Sequence, residues 1–165
     1  MSAETAPKKS MTMWYIAAAI IIIVVIVAGV ILYEQSFTPP SGGGGTPIAM
    51  TLYEGEVSGT SYGFGNGATS LTSPGPTLTF TEGKTYTMTV HNVGTLPHSW
   101  EIASSNTGTP SPLFSSEVNP GAYIAAGGSG SVTFTPTQTG NFYYVCPVPG
   151  HADLGMWGNV TINSG

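Results

Sequence analysis

The chain has 165 residues, enough for one membrane segment and one domain of ordinary size. Its net charge of −5 excludes a nucleic-acid binder, which needs basic groups to displace counterions from phosphates. Its single cysteine excludes a disulfide scaffold, and its 7% of charged residues leaves few carboxylates to titrate, so acid changes the net charge little.

Residues 14–33 form an uncharged apolar run from Trp14 to Tyr33. A hydrocarbon core of about 30 Å needs about 20 such residues in a helix. Trp14 and Tyr15 lie at one end and Tyr33 at the other, as interfacial aromatics do, and Lys8 and Lys9 precede the run. The positive-inside rule then puts residues 1–13 in the cytoplasm and everything after Tyr33 outside the cell, in a single-pass cell-membrane protein. A cleaved signal peptide has a shorter apolar core and a small-residue cleavage site, and Tyr33-Glu34-Gln35 is a poor one. Residues 34–47, with three prolines and four consecutive glycines, read as a flexible linker.

From Ile48 to the C-terminus the apolar period is two. Leu78 and Phe80 alternate with threonines. Tyr86, Met88 and Val90 share one face of residues 85–90, with three threonines on the other. Val132 and Phe134 repeat the pattern, Phe142, Tyr144 and Cys146 form another inward set, and Val160 and Ile162 close the series. Gly and Pro clusters punctuate these runs, at Ser73-Pro74-Gly75-Pro76, Glu82-Gly83, Gly127-Gly128 and Thr139-Gly140. The expectation for residues 48–165 is an all-β domain, a two-sheet antiparallel sandwich. Residues 104–128 are less regular and read as a long loop or insertion.

The last of these inward runs leads into C-x4-H-x4-M, formed by Cys146, His151 and Met156. A thiolate and two imidazoles make a trigonal set that suits both oxidation states of copper, and a weak axial thioether biases the site towards Cu(I). Gly150 and Gly155 each precede a candidate ligand and allow a tight backbone path. The second imidazole must come from elsewhere. His91 continues the outward parity of Thr85, Thr87 and Thr89, whereas His98 follows Leu96-Pro97, where a strand restarts at a sheet end, so His98 is favoured over His91.

The stretch from Phe142 to Trp157 resembles the copper-binding region of the sulfocyanins, and more distantly of rusticyanin, among the blue-copper proteins of the cupredoxin family. The resemblance is close over this stretch and loose over the whole architecture. It implies a cupredoxin-like Greek-key β-sandwich behind an N-terminal transmembrane helix and a Gly/Pro-rich linker. It also implies one type 1 mononuclear copper ion held by His98, Cys146, His151 and Met156. The implied role is electron carriage rather than catalysis, on the outer face of the membrane, with partners such as a terminal oxidase or cytochrome complex and with no small-molecule substrate. Three histidines and one cysteine are too few for the additional centres of a multicopper oxidase or a binuclear copper site. A copper-delivery module and a metal-free interaction domain are the other readings; scattered methionines argue against the first, and four candidate ligands against the second.

Around the ligands, Ser99 stands where many cupredoxins have Asn, which changes the hydrogen bonds tying the two ligand segments together. Pro147 has no N–H to offer the sulfur, but Val148 does. Trp100, Phe142, Tyr144 and Trp157 are expected to crowd the site, exclude water and raise the reduction potential. Pro147, Val148, Pro149, Gly150, Ala152 and Leu154 are expected to form an apolar rim around His151.

Overall fold

The computed structural model describes residues 45–165. The span expected at residues 14–33 and most of the linker lie outside the described residues. Among the described residues no helix is long and apolar enough to cross a membrane.

Eight strands run in the order β1 (Ile48–Ser58), β2 (Ser61–Gly65), β3 (Gly75–Thr81), β4 (Tyr86–Asn92), β5 (Glu101–Ala103), β6 (Ser129–Phe134), β7 (Gly140–Val145) and β8 (Trp157–Asn163). They form two four-stranded sheets, β2-β1-β4-β6 and β3-β8-β7-β5. The described residues are thus all-β, a two-sheet cupredoxin-like sandwich. One expectation is corrected. The sheets are mixed, because β1 pairs with β4 and β3 with β8 in parallel. From β3 to β7 each strand enters the sheet opposite its predecessor, so most strands laid side by side are far apart in sequence and need not be joined by hairpins.

Alternation in the sequence becomes burial in the fold. Along β4, Tyr86, Met88, Val90 and Asn92 are buried, while Thr87, Thr89 and His91 are half-buried on the outer face. The outer threonines are paired across strands: Thr85 with Thr135 at 3.0 Å and Thr87 with Thr133 at 2.9 Å between hydroxyls. Between the sheets lie Leu52, Phe64, Phe80, Met88, Val90, Trp100, Ile102, Tyr144, Val160 and Ile162. Each large side chain buried there contributes on the order of 1.5–3 kcal/mol. Tyr144 lies opposite Gly158 in the β7–β8 ladder, where a Cβ would fall inside its ring, and its hydroxyl donates to the Pro76 carbonyl at 2.7 Å.

Residues 104–128 carry no regular strand, but they are well tied down. The Val118 N–H donates to the Trp100 carbonyl at 2.9 Å, the Leu113 N–H to the Ile102 carbonyl at 2.7 Å, and the Ile102 N–H to Ser116 Oγ at 2.7 Å. This segment covers the free edge of β5, whose backbone groups would otherwise be exposed at the end of the sheet.

Candidate metal centre

Three expected ligands come from one loop. Cys146 directly follows β7 and Met156 directly precedes β8. The loop is closed by its own backbone: Cys146 N–H donates to the Met156 carbonyl at 3.0 Å, Met156 N–H to the His151 carbonyl at 3.0 Å, and His151 N–H to the Val148 carbonyl at 3.0 Å. Gly150 and Gly155 take φ of 83° and 91°, the left-handed region that glycine enters at little cost.

His98 arrives from the other side. Its backbone exchanges two hydrogen bonds with Ile124, at 3.1 and 2.7 Å, so the insertion sets its position. The regular strand restarts only at Glu101, three residues later than the sequence implied, because the 97–100 stretch pairs with the insertion instead. His91 is not part of the cluster; it stacks on Tyr53 on the outer face, with ring centroids 5.2 Å apart.

The ligand atoms of His98, Cys146 and His151 all lie within 4.8 Å of one another. The two Nδ1 atoms are 3.0 Å apart, and Cys146 Sγ is 3.6 Å from His151 Nδ1. Nitrogen and sulfur atoms bound to one first-row ion at about 2.0 and 2.3 Å stand at separations of this size. His98, Cys146 and Met156 are fully buried, and His151 is 9% exposed. With Met156 in the same core cluster as Cys146, the four residues form a type 1-like copper site. The donor set of two imidazoles, a thiol and a thioether is the one that soft, redox-active copper selects.

The electrostatics prepare these groups for a cation. Burial, then the neighbouring His151, holds His98 down to about 4, against the partial opposition of Glu56. Burial also lowers His151, again opposed by Glu56, so both imidazoles are biased towards the neutral form that can ligate a metal. Burial pushes the Cys146 thiol up to about 12, offset in part by N–H groups of Ser99 and Val148. A thiol so placed is a poor nucleophile, and only a bound cation would deprotonate it near neutrality.

Ser99 N–H reaches Cys146 Sγ at 3.4 Å, and its hydroxyl donates to the Val118 carbonyl at 2.7 Å. A serine here therefore links the ligand segment to the insertion.

Two of the expected crowding aromatics, Trp100 and Tyr144, are fully buried in the core. The other two are corrected. Trp157 is turned by the pleat to the outer face, against Tyr143, and Phe142 is half-buried edge-on to Phe114 of the insertion. The rim is corrected in one place: Ala152 is buried beside Val145 and Ala103, while Leu154 is 46% exposed.

Four residues near the site escaped the sequence reading. Tyr62 stacks on His151 at 4.3 Å between centroids. Glu56 Oε1 stands 3.9 Å from His98 Nε2. Glu54 and Glu101 are buried carboxyls whose charges would oppose ionisation of the Cys146 thiol. Tyr62 and Phe64 do flank Gly63 at period two, which was a usable strand signal.

A family model described as copper-binding proteins of the plastocyanin/azurin family matches residues 65–163. A copper-resistant cuproprotein, CopI of Rubrivivax gelatinosus, is 42% identical over 45 residues, which is 27% of this chain and 27% of that relative. Among solved structures, a blue copper oxidase from Nitrosomonas europaea superposes with a TM-score of 0.54 at 23% identity, covering 72% of this chain and 39% of that one. Auracyanin B superposes with a TM-score of 0.50 at 20% identity, covering 72% of this chain and 91% of that one. At these identities the structural likenesses are likenesses of fold.

Proposed function

Because the chain belongs to the plastocyanin/azurin family of copper-binding proteins, we propose that it is a sulfocyanin-like blue-copper electron carrier tethered to the outer face of the cell membrane. The observation that carries this reading is the convergence of His98 Nδ1, Cys146 Sγ and His151 Nδ1 in a buried pocket beside Met156. Bound there, copper would supply one-electron exchange between Cu(I) and Cu(II).

The residues of the chain do the rest. Cys146 and Met156 are locked to each other through the backbone, and His98 through Ile124, so the ligands need to move little when charge changes. Trp100 and Tyr144 are fully buried in the core cluster that also holds Cys146 and Met156. His151 alone among the four ligands has an exposed edge, and Leu96 and Leu154, 41% and 46% exposed, lie in the segments that carry His98 and His151. An apolar surface of this kind suits the small, brief interfaces of redox partners, such as a terminal oxidase or cytochrome complex. Residues 14–33 supply the anchor, 34–47 the linker and 48–165 the copper domain. Alkaline carbonate should leave the full-length chain in the membrane pellet, and its release would overturn the anchor.

The chain's three histidines argue against an oxidase, since one cluster uses two of them and His91 stands apart. The short match to a copper-resistant protein favours a second reading, copper sequestration. One experiment separates the two. The oxidised protein should show an intense visible thiolate-to-copper band that Cys146→Ser abolishes. Colourless Cu(I) bound and readily exchanged would support sequestration and sink the carrier.

A further inference from the structure

Glu56 sits near the end of β1, on the same inward parity as Leu52 and Glu54, and its carboxylate is unusually well held. It accepts from the Thr95 N–H at 3.2 and 2.9 Å, the Thr95 hydroxyl at 3.1 Å and the Leu96 N–H at 3.1 Å. The space it occupies is cleared by a glycine: a Cβ at Gly94 would collide with Glu56 Oε2, and it would also lie 2.9 Å from Gly55 Cα. Asn92 fixes the same loop from the other side, accepting from the Gly94 N–H at 2.9 Å and donating to the Leu96 carbonyl at 2.7 Å.

This clamp holds Oε1 3.9 Å from Nε2 of His98, a fully buried nitrogen with no hydrogen-bond partner. Nδ1 of the same ring points the opposite way, into the ligand cluster. A carboxylate facing Nε2 favours the tautomer with its proton on Nε2, which leaves the Nδ1 lone pair for a metal.

We propose that Glu56 is a positioning residue for His98. It selects the Nε2–H tautomer, fixes the plane of the ring, and places one negative charge beside the copper site that favours the oxidised state. The proposal rests on the copper reading above and goes beyond it, since it assigns work to a side chain that is no ligand.

The test uses the full-length chain in detergent, with Glu56→Ala, Glu56→Gln and, as a control, Thr95→Val. Nitrogen-15 NMR of the metal-free chain should show His98 as the Nε2–H tautomer in the parent and in Thr95→Val. Glu56→Ala should lose that preference and broaden the visible band of the copper-loaded protein. Glu56→Gln retains an acceptor but not the charge. It should restore the tautomer while keeping the same upward shift in potential as Glu56→Ala, roughly tenfold in the Cu(I)/Cu(II) equilibrium, or about 59 mV. An unmoved tautomer and an unmoved potential in the Glu56 variants, with the visible band intact, would overturn this proposal alone. If Glu56→Ala does not fold, the potential of Glu56→Gln decides. Absence of the band in the parent would instead sink the copper reading.

Discussion

Glu54 is fully buried, and neither of its carboxyl oxygens has a hydrogen-bond partner. Burial raises its pKa from 4.5 to about 8, so it is an uncharged acid in the folded protein near neutrality and an ionised one in the unfolded chain. For a carboxyl with a raised folded pKa, the group's contribution is most favourable below the unfolded value. That contribution is lost progressively as pH rises towards the folded one. The loss is about 1.4 kcal/mol per pH unit, or about 2.5 kcal/mol between about pH 5 and about pH 7. Glu54→Gln keeps the shape and an uncharged head group but cannot ionise when the chain unfolds. The variant should match the parent near pH 5 and exceed its stability by about 2.5 kcal/mol near pH 7. Urea denaturation of both proteins at a series of pH values, at fixed metal content, gives the difference directly. Contributions from His98, held down to about 4, and from Glu101, pushed up to about 7, are common to both proteins and cancel. A stability difference that does not change with pH would refute the reasoning.

Two further predictions concern packing and docking. Gly158→Ala drives a methyl into the Tyr144 ring and should cost about 1–3 kcal/mol in urea denaturation, whereas Gly59→Ala, with open space around it, should cost little. Equal effects at the two sites would count against the close packing described for Tyr144. Val148→Glu or Leu154→Glu should slow electron transfer to a membrane oxidase about tenfold while leaving the visible spectrum intact; unchanged turnover would remove this surface as the exit.

The strands that the sequence revealed are those whose inward positions are apolar, such as Tyr86, Met88 and Val90 in β4. β1 was hidden because Glu54 and Glu56 take inward positions there, while β2 carried a period-two signal in Tyr62 and Phe64 that its alternating glycines weakened. β5 has only three residues, all buried, and no alternation to read. The ligand loop was legible because it holds three of the four candidate ligands close together in sequence. His98, distant in sequence, was reached through the parity argument that set His91 aside, its place after Leu96-Pro97 and the family resemblance. Glu56 and Tyr62 could not be found that way, since the approach of β1 and β2 to the ligands depends on long-range contacts such as Gly55 against Gly94. Trp157 was misplaced for a simpler reason: adjacent residues on a strand face opposite ways, so the neighbour of an inward Met156 faces out.

The ligand loop makes most of its hydrogen bonds to itself and few to the rest of the domain. Ser73 Oγ donates to the Gly155 carbonyl, the Tyr62 N–H to the Leu154 carbonyl, the Gly108 N–H to Asp153 Oδ1, and the Ser99 N–H to the Cys146 sulfur. Such a segment behaves as a cassette. Its length and sequence can drift, or be exchanged for those of another sandwich, without rewriting the two sheets that present it.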